Sequence, residues 1–147
     1  MIIFNTENVK LQNFPKRKIS QWIKVIAEKF DKRVGEISYI FCSDSKILEV
    51  NIEYLKHDYY TDIITFDYSD NDIITGDIFI SVETVRSNAE KYEEKYDKEL
   101  YRVIIHGILH LCGIDDKAPG ARDIMEKHEN DALEIFDYLR LKNETEK

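Results

Sequence analysis

Between Ile105 and Asp116 the chain reads Ile-His-Gly-Ile-Leu-His-Leu-Cys-Gly-Ile-Asp-Asp, and this is where its residue types and spacing are most able to do chemistry. His106 and His110 are four apart. On a helix that spacing puts them on one face, with Cβ atoms about 5–6 Å apart, so both rings can grip one ion from the same side. Gly113 can take the left-handed conformation that ends a helix, which turns the chain and swings Asp115 or Asp116 back toward the histidines. Three protein ligands with one position left over describe a catalytic zinc site better than a structural one, which four ligands close.

The competing account is that the two rings are hydrogen-bonded core residues, since a bare spacing match has a real false-positive rate. Val103, Ile104, Ile105, Ile108, Leu109 and Leu111 make the surrounding helix almost wholly apolar, and in such a setting polar rings need partners. A metal supplies one. Cys112 is a weaker candidate ligand than the aspartates, because it lies two residues after His110, where side chains on a helix diverge. The pair is not the HExxH of zinc proteases: Gly107 stands where that motif carries its glutamate base. Activation of an attacking oxygen then falls to the ion or to a carboxylate such as Asp115.

At 147 residues the chain is long enough to bury a core without staples, and one domain over 1–147 is expected, ending in a polar tail from Lys142 to Lys147. Metal is therefore for chemistry and not for folding. Cys42 and Cys112 sit in apolar runs and form no CxxC pair, as expected of reduced thiols in the cytoplasm. Met1 to Glu7 lacks a basic n-region and a cleavable apolar core, and no run approaches 18 apolar residues, so neither export nor a membrane span is expected. A net charge of −8 argues against coating nucleic acid through bulk electrostatics, though it leaves room for a nuclease.

Residues 1–5 and 36–42 read as strands, and Pro15 to about Arg33 as a helix carrying Ile19, Trp22, Ile23, Ile26 and Phe30. Ser43 or Asp44 caps a second helix that fades near Lys56 to Asp58. Asp62 to Tyr68 and Ile73 to Val82 form an antiparallel pair about the turn Ser69 to Asp72. A helical region from about Glu83 to Cys112, interrupted near Tyr96 and Asp97, turns from charged to apolar, which makes the histidine helix central and buried. A last helix runs from about Gly120 to Leu141. The expected fold is α+β: a small mixed four-stranded sheet packed with about five helices.

Three separated blocks resemble the YbeY family, the bacterial metal-dependent endoribonucleases of ribosomal RNA maturation. His106 to Asp115 follows the family's HGxLHLxGxDH motif position by position. Tyr54, Lys56, Asp58 and Thr61-Asp62-Ile63-Ile64-Thr65-Phe66 echo its DxPTDVLSFP block, and Gly76-Asp77-Ile78-Phe79-Ile80-Ser81 its GDIxIS strand. The resemblance implies a cleft between these strands and the histidine helix. Its implied substrate is single-stranded RNA, with a ribosomal RNA precursor and the ribosome or its proteins as partners, and neither DNA nor membrane. Tyr59 and Tyr60 are candidates for stacking on bases.

Asp116 stands where the family usually has a third histidine, which gives His106, His110 and Asp116 as the metal set, with His128 as a rival third ligand. Zinc is the expected ion. The carboxylate also suits a harder ion such as Mn²⁺. Leu55 replaces the family's usual arginine, and Tyr60 a proline. Leucine cannot grip phosphate, so Lys56 and His57 are the candidates to carry that charge, with Asp115 orienting water. The alternatives are a metal-dependent hydrolase of another substrate, or a ribosome assembly factor whose metal is structural.

Overall fold

The computed structural model describes residues 1–56 and 61–145, with side chains to position 142. His57, Asp58, Tyr59 and Tyr60 lie outside the described residues.

Strands β1 (Ile2–Thr6), β2 (Arg33–Cys42), β3 (Ile63–Asp67) and β4 (Ile73–Ser81) form a sheet in the order β1-β2-β4-β3. The first three neighbours in that order run parallel, while β3 is antiparallel to β4, so the sheet is mixed, as expected. Helix α1 (Lys16–Lys29) makes the crossover between β1 and β2. Ser43 caps α2 (Asp44–Val50), accepting from the Lys46 amide, and Ser81 caps α3 (Val82–Lys91) through Thr84. Asp44 accepts hydrogen bonds from the Ser81 and Thr84 hydroxyls, which ties these two helix starts together. Helices α4 (Tyr96–Leu111) and α5 (Ala121–Thr145) complete the chain.

The period-2 alternation of β2 and β4 decides where the core sits. Ile37, Tyr39 and Phe41 share a face with Ile78 and Ile80, and on it pack Ile19, Trp22, Ile23 and Ile26 of α1 and the apolar side of α4. The opposite face carries a smaller cluster of Cys42, Ile47, Val50 and Ile64 under α2. Tyr39, fully buried, donates its hydroxyl to the Ile104 carbonyl at 2.8 Å and so fastens α4 to the sheet two residues before His106. Trp22 ties α5 to α1: its indole N–H donates to the Ala132 carbonyl at 2.8 Å, and its ring stacks on Phe136 at 4.3 Å.

Two boundaries differ from expectation, and the second helix closes at Lys56 as expected but in an unexpected form. The break between α3 and α4 falls at residues 92–95, just before the expected Tyr96, because Glu93 takes a left-handed backbone with φ of 54°. The second helix ends as a π-helical stretch, Asn51–Leu55, closed by Lys56 at φ of 59°. Helix α5 runs into the expected polar tail as far as Thr145.

Gly76 marks a close approach of β3 to β4. A Cβ there would lie 2.4 Å from the Phe66 carbonyl oxygen, a backbone atom that cannot yield without moving the strand. Gly76→Ala is expected to cost about 3 kcal/mol, at the upper end of overpacking penalties, as read by urea denaturation.

Candidate metal centre

Helix α4 presents both histidines on one face, with ring centroids 5.3 Å apart. Gly107 shows why the helix can lie so close to the sheet. A Cβ at this position would lie 3.0 Å from Ile78 and 3.3 Å from Ile63. The residue after the first histidine thus faces the core, away from the site.

The end of α4 is a Schellman turn. Gly113, at φ of +97°, lets its own amide donate to the His110 carbonyl and the Ile114 amide donate to the Leu109 carbonyl, each at 3.0 Å. The chain then reverses through a second small turn. The Asp115 carboxylate accepts from the amides of Lys117 at 3.0 Å and Ala118 at 3.3 Å. Those bonds, the Lys117 amide foremost, hold Asp115 below the usual carboxylate range although it is exposed. Its carboxylate is thus engaged in shaping the loop, and the neighbouring residue, Asp116, is the one turned inward.

Asp116 Oδ2 lies 3.4 Å from His106 Nε2, and its Oδ1 lies 3.3 Å from His110 Nε2. His106, His110 and Asp116 offer ligand atoms that all lie within 4.8 Å of one another. The Oδ1 contact is short enough for an ion pair but has no hydrogen-bond geometry. Among the described residues this buried oxygen has no hydrogen-bond partner. Two nitrogens and an orphaned carboxylate at this spacing fit a cation: a tetrahedral ion with bonds of about 2.0–2.1 Å separates its ligands by about 3.3–3.4 Å. His128 does not join them. Its ring packs edge-on against Phe30 at 5.2 Å, so the structure brings Asp116 and not His128 to the pair.

Two acidic residues to which the sequence assigned no role, Glu129 and the motif residue Asp62, act on His106. Glu129 of α5 accepts from His106 Nδ1 at 2.6 Å, and Arg102 holds the other oxygen of Glu129 at 3.1 Å. Asp62, just before β3, is partly buried. Burial pushes its acid above the usual range, while His106 draws it back. Burial alone would lower the proton affinity of His106, but the hydrogen bond and charge of Glu129, then Asp116 and Asp62, outweigh it and leave the imidazole raised. The negative charge of these carboxylates also attracts a metal cation. Lys56 is exposed and its side chain makes no described contact with this group.

Glu99, on α4 and 8% exposed, is with Glu129 one of two buried acids among the described residues. Burial raises its acid first of all, Arg102 opposes, and Asp62 and Glu129 add to the rise. A folded-state value above the unfolded one gives stability that is present below the unfolded value, near pH 4, and lost as pH rises through the folded value. Glu99→Gln is therefore expected to stabilise the metal-free protein at pH 7 and to match the parent near pH 4, as read by denaturation at both pH values.

Known proteins resemble this chain over most of its length. The family model described as Endoribonuclease YbeY matches residues 2–137. A protein of Phocaeicola vulgatus named Endoribonuclease YbeY is 64% identical over 136 residues, 92% of this chain and 99% of that one. One of the same name from Bacteroides thetaiotaomicron is 61% identical over 132 residues, 90% and 96% of the two chains. The solution structure of TM1509 from Thermotoga maritima superposes with a TM-score of 0.68 at 25% identity, covering 100% of this chain and 96% of that one. A match running from β1 into α5, shared with relatives of nearly equal length, makes this chain a member of the YbeY endoribonuclease family.

Proposed function

We propose that this endoribonuclease hydrolyses single-stranded RNA, a ribosomal RNA precursor in the cytoplasm, with one divalent ion held by His106, His110 and Asp116, all as a single domain over 1–147. The observation that carries the reading is the orphaned Asp116 oxygen set 3.3 Å from an imidazole nitrogen with which it makes no hydrogen bond. Zinc suits two imidazoles and a carboxylate, and manganese is the alternative that the carboxylate favours.

Bound there, the ion supplies Lewis-acid polarisation of a phosphoryl oxygen and lowers the pKa of a water. The rest belongs to the chain. The loop made by Gly113 and Asp115 fixes Asp116, and the Tyr39 bond fixes the height of α4 on the sheet. Asp115, besides holding the loop, is the carboxylate proposed to orient the water, and Asp62 is proposed to take a proton from the attacking oxygen. Lys56 and His57 are the proposed phosphate contacts, since Arg102 is committed to Glu129 and Asn130 and Leu55 has no charge to offer. A ribosomal partner follows from the same reading. Among the described residues no helix is long and apolar enough to cross a membrane.

The test is metal analysis of the purified protein beside cleavage of single-stranded and duplex RNA. One equivalent of metal, cleavage confined to single strands, loss of cleavage on chelation and its return with Zn²⁺ or Mn²⁺ are the expected results. Stoichiometric metal without RNA cleavage would turn the reading to an assembly factor or another hydrolase, and cleavage that survives chelation would overturn the metal's role.

A further inference from the structure

An imidazole binds a metal only through a nitrogen that carries a lone pair, so the proton on its other nitrogen has to be parked somewhere. His106 and His110 differ in this respect. The Nδ1 of His106 meets Glu129 Oε2 at 2.6 Å, on the side of the ring away from Asp116. An ionised carboxylate can only accept, so Nδ1 carries the hydrogen and Nε2 is left with its lone pair facing Asp116.

Glu129 is itself held. Arg102, one helical turn before His106 on α4, donates to Glu129 Oε1 at 3.1 Å and to the Asn130 side chain at 2.8 Å. The Glu129 side chain is only 11% exposed, and the register of α5 is fixed by the Trp22 bond to Ala132, three residues further along. Arginine, glutamate and histidine thus form a chain that ends at the metal-facing nitrogen.

We infer that Glu129 is a positioning residue for the metal, locking His106 in the Nδ1–H tautomer with Arg102 fixing the carboxylate in turn. This rests on the reading of His106, His110 and Asp116 as the metal set. Acidic partners of ligating histidines govern metal affinity by about 10–100-fold. The rival role is purely architectural: an ion pair that braces α4 against α5 and does nothing for the ion.

The experiment is zinc affinity by competition with a colorimetric chelator, measured for the parent, Glu129→Gln, Glu129→Leu and Asn130→Ala, together with the melting temperature of each protein without metal. Glu129→Leu is expected to lose zinc affinity by about 100-fold and Glu129→Gln by about 10-fold, because the amide oxygen of glutamine still accepts from Nδ1–H. Asn130→Ala, which loosens Arg102 but keeps the Glu129 bond to His106, is expected to lose zinc affinity by less than Glu129→Gln does. Glu129→Gln and Asn130→Ala should melt within a few degrees of the parent without metal, while Glu129→Leu, which leaves Arg102 without its carboxylate, melts lower and is compared in affinity at a temperature where it is folded. Imidazole ¹⁵N shifts of the metal-free parent should show the Nδ1–H form at His106, and a mixture of tautomers in Glu129→Leu. Parent-like zinc binding by Glu129→Leu, or a lowered metal-free melting temperature with unchanged affinity, overturns the inference and leaves the metal site standing. A parent that binds no zinc overturns both.

Discussion

Exchanging Asp116 for alanine is expected to strip the metal from the purified protein, abolish RNA cleavage and leave the metal-free protein at least as stable as the parent. The first two outcomes follow from ligand number. Structural zinc sites bind with roughly 10–16 kcal/mol over four ligands, so one ligand is worth about 3 kcal/mol, on the order of 100-fold in affinity. The third follows from the orphaned Oδ1: without an ion this buried oxygen has no hydrogen-bond partner among the described residues, and removing it costs nothing. A residue that mattered only to the fold would behave in the opposite way. Asp116→His, which restores the family's usual third histidine, should keep the metal. Without the carboxylate the site gains one unit of positive charge when loaded, so its preference should move from manganese toward zinc. Competition between the two ions, measured on parent and variant, reads that shift directly. If Asp116→Ala retained a full equivalent of metal, the ligand assignment would be wrong.

The parts of this site legible in the sequence are those that depend on residues near one another along the chain. A spacing of four on a helix is a geometric statement, and the left-handed Gly113 followed by an aspartate that accepts from amides two and three residues on is another. Together they return Asp116 to the histidines. Choosing between Asp115 and Asp116 took the family motif, because either could face inward from composition alone. Glu129 was not legible. Helix α5 carries Asp123, Glu126, Glu129, Asp131 and Glu134, and only the docking of α5 through Trp22 and Phe136 selects which acid meets His106. Asp62 was visible as part of a motif, but its electrostatic influence on His106 depends on β3 packing against α4.

The fold divides in the same way. Runs of β-branched and aromatic residues located all four strands, and the polar turn Ser69 to Asp72 the antiparallel pairing of β3 with β4, because a short polar turn can join only neighbouring antiparallel strands. The helix boundaries slipped where backbone rather than hydrophobicity decides them. No glycine or proline announces the break at residues 92–95, where Glu93 adopts the left-handed conformation itself. Lys142 and the polar residues after it extend α5 because lysine and glutamate are good helix formers and a final turn needs no apolar face. The π-helical stretch of Asn51–Leu55 inserts one extra residue per turn, a feature without a hydrophobic signature.

Writing the zinc-protease motif into this helix, by Gly107→Glu, is expected to destroy the protein and not to create a protease. In HExxH sites the glutamate serves as a base beside the metal. Here position 107 lies on the side of α4 pressed against β3 and β4, with Ile78 and Ile63 already 3.0 and 3.3 Å from where a Cβ would stand. Alanine at this position sets two effects against each other. It gains about 1 kcal/mol of helix propensity over glycine and pays in contacts with side-chain ends that can shift. Glutamate has no such balance. It must push α4 off the sheet, or bury a carboxylate among isoleucines with no partner, at a penalty of about 3–5 kcal/mol for an uncompensated buried charge. Set against the 5–15 kcal/mol typical of a whole domain, that loss takes much or all of the stability. Gly107→Glu should therefore be found in the insoluble fraction or melt far below the parent, while Gly107→Ala stays soluble and binds metal. A soluble, metal-loaded Gly107→Glu protein would mean that position 107 faces the ion, and α4 would have to be rotated on the sheet from the arrangement described above.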